Sequence, residues 1–451
     1  MIHLSLSEMA KILAVANPTT NATIHGISTD TRHLTRGNLF VAIQGEQFDG
    51  HQFVGQAHQL GATATLVNHH IDSPIPQLIV KDTILAFGQI AEAWRDRFHL
   101  PLIGVTGSNG KTTLKNMIAS ILRAASNKDA VLATEGNLNN NIGVPIMLSR
   151  LQESHRYGVI EMGMNHFGEI AYLTKFVKPQ VAVVNNAAAA HLQGLEDVAG
   201  VARAKGEIFL GLPKDGVAIL NRDDAFFEYW CSLVRPHTQL TFGLENSADV
   251  TATLGNTVTV HTPKGNFELN LPLLGKHNIM NALAATAATL AINIDITAIK
   301  KGLEAVTPAP GRLRQHRLAN GLTLIDDTYN ANPASARAAI HTLSAMPNTK
   351  ILVLGDMREL GKDAEQLHFT IGQQAKEAGI QHLFTLGELS RAANQAFGES
   401  AKHFTTHDAL VTALQPYMKK DTTILIKGSR SMRMEKVVAG LVPELANENA
   451  H

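Results

Sequence analysis

Between residues 104 and 113 the chain reads Gly104-Val105-Thr106-Gly107-Ser108-Asn109-Gly110-Lys111-Thr112-Thr113. The apolar pair Leu102-Ile103 precedes it, and Leu114, Met117, Ile118, Ile121 and Leu122 follow at helical spacing. The order is strand, glycine-rich turn, helix. Such a turn presents backbone N–H groups to phosphate at a helix N-terminus, where the helix dipole favours negative charge. Lys111 is placed to reach the outer phosphates of a nucleotide, and the Thr112 hydroxyl to sit on Mg2+. The usual phosphate loop has a glycine five residues before the Gly of Gly-Lys. That position is Val105 here and the glycine falls at Gly107, so the loop is tighter than the common pattern.

The 451 residues are enough for about three domains. An apolar content of 45% lets each bury its own core. Lys+Arg and Asp+Glu balance at 39 each, which argues against a nucleic-acid binder. Cys231 is the only cysteine, so no intramolecular disulfide forms and a reducing compartment fits. The first residues show no signal-peptide pattern, and no apolar run is long enough to span a bilayer. The expectation is a cytoplasmic protein with no membrane insertion.

Along the chain, residues 1–98 form a small α/β module. It has strand-like runs at Leu39–Ile43, Ala64–Val67 and Leu78–Val80, and a helix capped by Asp82. Residues 99–312 form a second α/β domain with strands at Gly158–Ile160, Val181–Val184 and Val217–Leu220. From Val250 to Leu271 the apolar period drops to two, which predicts antiparallel hairpins added to that domain. An Ala-rich helix follows from His277 to Ile292, and Pro308, Pro310 and Gly311 mark a hinge. Residues 313–451 alternate strand and helix again, with strands at Leu322–Ile325, Lys350–Leu354, His382–Leu386 and Thr422–Ile426. The fold class is therefore α/β in three domains: a small first one, a central phosphate-loop domain and a Rossmann-like, doubly wound last one.

Phosphoryl transfer needs positive charge and metal around the terminal phosphate more than covalent catalysis. Glu161 ends a strand beside the phosphate loop, where an acid can hold Mg2+. From residue type alone His191 reads first as structural and Lys205 as a solvated helical lysine. Asn278 and Asn281 suit either base recognition or helix capping. Arg312 and Arg314 flank the hinge, where a cation can close onto phosphate. Asp326-Asp327 and Lys427-Gly428-Ser429-Arg430 end strands of the last domain and together suit a zwitterion, the basic pair taking a carboxylate.

With these residues assembled, nearly the whole chain resembles the Mur ligase family, the ATP-dependent amino-acid ligases of peptidoglycan precursor synthesis. Thr106–Thr112 looks like that family's ATP loop, which accounts for the displaced glycine. The resemblance implies ATP contacts from Gly107, Ser108, Asn109, Gly110, Lys111, Thr112 and Thr113, with Asn278 and Asn281 toward adenine. Asp326 or Asp327 would hold the ribose, and Arg312 would bridge to the γ-phosphate. It implies two Mg2+ ions held by Thr112, Glu161, His191 and Lys205, with Lys205 carrying a CO2-derived carbamate. Lys111, His191, Lys205 and Arg312 would be the catalytic set.

Ser28-Thr29-Asp30-Thr31-Arg32 and Phe48-Asp49-Gly50-His51 are similar to the family's uridine-nucleotide domain. Thr134–Asn140 resembles a substrate loop, with Asn137 and Asn140 as contacts. Glu161–Met164, Asp327–Pro333 (with Tyr329 and Asn330), Leu354–Gly361 and Lys427–Arg430 look like one branch of the family. That branch adds D-alanyl-D-alanine to a UDP-N-acetylmuramoyl-tripeptide, through an acyl phosphate. The Asp-Asn-Pro-Arg motif of the branch that adds diaminopimelate or lysine is absent. The implied protein is a monomer with those two substrates as partners. A sister ligase, such as a folate polyglutamate ligase, and a nucleotide-dependent switch protein are the alternatives.

Overall fold

The computed structural model describes residues 1–18, 20–45, 48–189 and 192–448. In the first domain β1 (His3–Ser5) pairs antiparallel with β2 (Thr23–His25). Next, β3 (Ile27–Ser28), β4 (Leu39–Val41), β5 (Ala64–Val67) and β6 (Gln77–Ile79) form a parallel sheet in that order. The Thr83–Arg95 helix starts where the Asp82 carboxylate accepts the N–H groups of Ile84 and Leu85, both at 2.9 Å. That satisfies two donors no helical carbonyl can reach.

The central domain holds β7 (Leu102–Thr106), β8 (Val131–Ala133), β9 (Tyr157–Glu161), β10 (Val181–Val184), β11 (Val217–Asn221) and β12 (Thr238–Phe242). All pair in parallel, in the order β12-β11-β10-β7-β9-β8. Helices cover both faces, so the inner strands are continuous apolar runs rather than alternating ones. On one face the Lys111–Ala125, Lys276–Leu290 and Ile296–Glu304 helices share a core with β7 and β10. The predicted hairpins are a three-stranded antiparallel meander: β13 (Thr251–Leu254), β14 (Val258–Thr262) and β15 (Gly265–Leu269).

The last domain has β16 (Arg314–Arg317), β17 (Thr323–Asp327), β18 (Thr349–Gly355), β19 (His382–Leu386), β20 (Ala401–Phe404) and β21 (Thr422–Lys427). Their order is β16-β17-β21-β18-β19-β20, parallel except for β16. The Pro333–Ser344, Ala364–Glu377 and Ser390–Phe397 helices cover one face, and the His407–Leu414 and Glu435–Leu441 helices the other. This is the doubly wound arrangement expected from the alternating pattern.

A second central-domain core runs without a break into the first domain. It joins Leu4, Leu66 and Phe87 to Met147, Phe176 and Trp230. Across this junction the Trp94 indole donates to the Leu151 carbonyl at 3.1 Å, and the Arg95 guanidinium to the carbonyls of Val177 and Lys178. The last domain keeps its own two cores.

Candidate active site at the junction of three domains

The turn after β7 leads into the helix through Gly110, in the left-handed region at φ 77°. A Cβ there would lie 2.5 Å from Asn281 Oδ1 and 2.8 Å from Asn185 Nδ2, so only glycine closes the turn. Lys111 opens the helix, and its Nζ donates to the Gly107 carbonyl at 2.7 Å. Burial pushes this ammonium below the usual lysine range, against the attraction of Glu161; the nearby Arg312 adds to the lowering. A phosphate group at this position would return to Lys111 the anionic partner that burial makes it need.

Glu161, at the end of β9, is almost fully buried, and both of its oxygens are engaged. Oε2 accepts from the Thr112 hydroxyl at 2.9 Å and Oε1 from Asn139 Nδ2 at 2.8 Å. The Thr134 hydroxyl accepts the backbone N–H of Glu161 at 2.9 Å. Arg312 comes across from the hinge, and its Nη2 donates to the Thr112 hydroxyl oxygen at 2.9 Å. Its guanidinium lies 4.0 Å from the centre of the Tyr329 ring. Phosphate-loop hydroxyl, strand-end carboxylate and hinge arginine therefore meet at one point, although Thr112 and Arg312 are 200 residues apart.

Asparagines organise the far side of the loop. Asn186 Oδ1 accepts the Asn109 N–H at 2.9 Å, and the side-chain amides of Asn185 and Asn186 donate to the Asn109 carbonyl. Asn185 Nδ2 also donates to Asn281 Oδ1 at 2.8 Å, and Asn281 Nδ2 to Asn278 Oδ1 at 3.2 Å. Asn278 Nδ2 ends the chain on the Leu274 carbonyl at 2.7 Å. From the last domain, Asn332 Nδ2 reaches Asn109 Oδ1 at 2.8 Å. Ser108 is tied to the same loop, its N–H donating to the Asn186 carbonyl at 3.0 Å. Thr113 lines the cavity beside Lys111 and Thr112.

Lys205 sits in the last turn of the Val198–Gly206 helix with 1% of its surface exposed. Burial first, then the charge of Lys111, push its ammonium well below the usual lysine range. The solvated helical lysine expected from residue type alone is thus a buried one. His191 lies outside the described residues.

At the strand ends of the last domain the aspartate doublet is split by the alternation of a β-strand. Asp326 is fully buried and accepts from the Thr328 hydroxyl at 2.6 Å. Asp327 lines the cavity and accepts from Lys427 Nζ at 2.7 Å. Lys427 also donates to the Asn330 carbonyl at 2.9 Å. Burial raises the Asp327 carboxyl, opposed by the Lys427 charge. The expected basic pair for a substrate carboxylate is therefore not a free pair. Lys427 is ion-paired with Asp327 inside the protein, while Arg430 is half exposed, 3.6 Å from Glu435 and stacked on Tyr329 at 5.8 Å.

These groups border a cavity of about 1220 Å3 between the three domains. Asn137 and Asn140 line it, as do Asn278, Asn281, Tyr329 and Asn330. Ser28, Thr29, Asp30, Thr31 and Arg32 do not; they form a separate turn of the first domain. There Ser28 Oγ accepts the Asp30 N–H at 3.2 Å, and Asp30 pairs with the exposed Arg32 at 2.6 Å. Asn185, Asn186 and His277 belong to the site without an expected role, and Asn139 and Asn332 join it from within the Thr134–Asn140 and Asp327–Pro333 stretches. The Asn185-Asn186 doublet had a signal: two amides at the carboxyl end of a strand adjoining the phosphate-loop strand.

Magnesium takes hard oxygen ligands, commonly one or two carboxylates with substrate phosphates supplying the rest. The Thr112 hydroxyl beside the Glu161 carboxylate fits that chemistry. No cluster of three or more His, Cys, Asp or Glu side chains suited to a closed metal cage occurs among the described residues.

Three family models match the chain: "Mur ligase family, catalytic domain" over residues 23–92, "Mur ligase middle domain" over 105–289 and "Mur ligase, glutamate ligase domain" over 311–430. The UDP-N-acetylmuramoyl-tripeptide--D-alanyl-D-alanine ligase of Escherichia coli K12 is 45% identical, over 98% of this chain and 99% of that one. The solved UDP-N-acetylmuramoylalanyl-D-glutamyl-2,6-diaminopimelate--D-alanyl-D-alanyl ligase of Acinetobacter baumannii superposes with a TM-score of 0.87 at 37% identity, covering 98% of each chain. The MurF ligase of Thermotoga maritima in complex with ADP gives 0.82 at 25% identity, covering 94% of this chain and 98% of that one. The phosphate loop, the buried lysine behind it and the arginine closing over it therefore stand in a chain that belongs to the Mur ligase family.

Proposed function

We propose that this chain joins D-alanyl-D-alanine to a UDP-N-acetylmuramoyl-tripeptide at the expense of ATP. The observation that carries this reading is the meeting of Lys111, Thr112, Glu161 and Arg312 in the lining of a cavity walled by three domains. Relatives that match nearly the full length carry that activity in their names.

In this reading the Gly107–Thr113 turn and Lys111 hold the phosphates of ATP. Asn278 and Asn281 lie toward the adenine, and Asp327, which faces the cavity, lies toward the ribose. The terminal carboxylate of the tripeptide takes the γ-phosphoryl group and becomes an acyl phosphate. The amine of D-alanyl-D-alanine then attacks that carbonyl carbon, an amide forms and phosphate leaves. Two anions must approach in the first step, and Lys111 and Arg312 reduce their repulsion.

Thr112, Glu161, His191 and a carbamate on Lys205 would hold magnesium, which adds positive charge between the reacting oxygens. The buried Lys205 supports this assignment. An amine whose protonation is disfavoured by burial is more available to CO2, and the resulting carbamate would add an anion near Lys111. The Ser28–Arg32 turn, apart from the cavity, suits the uridine diphosphate end of a long substrate, and Asn137 and Asn140 its peptide end. Tyr329 and Arg430 lie toward the incoming dipeptide.

The test is mass spectrometry of the product formed from the UDP-muramyl tripeptide, ATP and D-alanyl-D-alanine. The expected product is the pentapeptide with stoichiometric ADP and phosphate. Product formation with diaminopimelate or glutamate in place of the dipeptide would move the chain to a sister activity.

A further inference from the structure

Two hydrogen bonds reach the phosphate loop from the hinge and the last domain, and they differ in kind. Arg312 precedes β16, at the hinge, and reaches Thr112 on a long side chain with several rotatable bonds. Asn332 lies beyond β17, in the body of the last domain, and its Nδ2 donates to Asn109 Oδ1 at 2.8 Å.

Both ends of the second contact are fixed. Asn332 stands just before the Pro333–Ser344 helix, where its Oδ1 accepts the Ser335 N–H at 2.9 Å and its own N–H donates to Ser335 Oγ at 3.0 Å. That use of the oxygen orients the amide, because a flipped one would set its NH2 against the Ser335 N–H. Pro333 at the start of the helix holds the backbone direction. On the opposite side the Asn109 backbone is pinned by the side chains of Asn185 and Asn186.

The segment between β17 and that helix is equally tied. Thr328 is held on Asp326, and the Tyr329 N–H donates to the Gly311 carbonyl at 3.0 Å. The Asn330 carbonyl accepts from Lys427 Nζ at 2.9 Å and the Ala331 carbonyl from Ser429 Oγ at 3.3 Å. Tyr329, Asn330 and Asn332 all line the cavity. A segment fastened at each residue moves as one piece with its domain. The Asn332–Asn109 hydrogen bond therefore sets how far Tyr329 and Asn330 stand from the phosphate loop.

We propose that Asn332 is a positioning residue for the reaction. Acting through Asn109, it registers the last domain, and the dipeptide lying toward Tyr329, against the loop where the carboxylate is activated. The inference rests on the ligase reading above. In that reading the amine must reach the carbonyl carbon of an acyl phosphate formed beside Lys111, so different domains hold the two reacting atoms. Their approach depends on registration, and a displacement of about 1 Å can cost about a hundredfold in rate.

The experiment compares wild type with Asn332→Asp and Asn332→Ser. It reads thermal unfolding and the steady-state kinetics of product formation from UDP-muramyl tripeptide, ATP and D-alanyl-D-alanine. Aspartate and serine cap a helix as well as asparagine does, so the Pro333–Ser344 helix keeps its start. Aspartate has no N–H to donate and sets a second acceptor oxygen against Asn109 Oδ1, and serine is too short to reach it. The expected result is an unfolding midpoint near that of wild type and a kcat lower by about tenfold or more in both variants. KM for the UDP-muramyl tripeptide should be little changed. A residue that only capped its helix would leave kcat per folded molecule as it is in both variants, and that result overturns the proposal. A loss of turnover that merely follows the loss of folded protein, or a change confined to KM, overturns it too. If wild type forms no product the ligase reading itself falls; wild-type turnover matched by both variants removes only the role of Asn332.

Discussion

Glu161 is a single carboxylate held by two side chains from distant parts of the chain, and the site depends on its orientation. Asn139 holds one oxygen while Thr112 holds the other. Groups that orient a metal-binding carboxylate commonly change metal affinity ten- to a hundredfold. Asn139→Ala should therefore raise the magnesium concentration needed for half-maximal turnover about tenfold, with thermal stability nearly unchanged. A magnesium titration at saturating ATP measures this. Lys205 offers a second test at this scale. Buried beside Lys111 with its ammonium disfavoured, it should carry a carbamate detectable by 13C NMR after equilibration with labelled bicarbonate. Lys205→Arg should lose that resonance and at least about a hundredfold in turnover, since arginine stays protonated. Residue type alone suggested neither the Asn139 contact nor the burial of Lys205. Lys205 looked like an exposed helical lysine, because sequence does not reveal which helical face a three-domain junction will cover.

The phosphate loop is held by what packs behind its helix. Gly302, in the Ile296–Glu304 helix, lies so close to the Lys111–Ala125 helix that a Cβ would collide with the backbone of Ile121. The Ser120 hydroxyl donates to the Gly302 carbonyl at 2.7 Å across the same contact. Gly302→Ala should cost about 1–3 kcal/mol, because backbone on both sides must shift. It should weaken ATP binding through displacement of the Lys111 helix, read by thermal unfolding and by the KM for ATP. Sequence patterning located elements unevenly for a related reason. In the two six-stranded sheets the strands with neighbours on both sides, such as β10 and β18, were recognisable as apolar runs. The edge strands β12, β16 and β20 were not, and apolar β8 is only three residues long. β16 reads Arg-Gln-His-Arg, with no apolar residue to betray it. An interior strand is buried on both faces, whereas an edge strand needs only a backbone partner.

At the scale of the whole molecule, the first and central domains share one core, although linker-bound domains are mobile by default. The last domain meets the phosphate loop through Arg312–Thr112 and Asn332–Asn109. His277, at the start of the Lys276–Leu290 helix, lines the cavity there. Burial, then the charges of Lys427 and His341, lower it to about 4. Its folded form is thus neutral, while the unfolded chain binds a proton below the usual histidine value near 6.5. The unfolded state holds more protons across that window, so this contribution to stability is complete above about 6.5 and lost as pH falls toward 4. Denaturation midpoints measured between these values should drop with acidity, and His277→Asn should flatten the slope. What the amino-acid order decided alone was the chemistry of the phosphate loop, the α/β class and the inner strands, because turn geometry and two-sided burial leave marks in adjacent residues. What required the folded chain was the pairing of the site's own groups: Asp327 with Lys427, Arg312 with Thr112, Asn332 with Asn109. Those pairings join residues tens to hundreds of positions apart, and local periodicity carries no record of such distances.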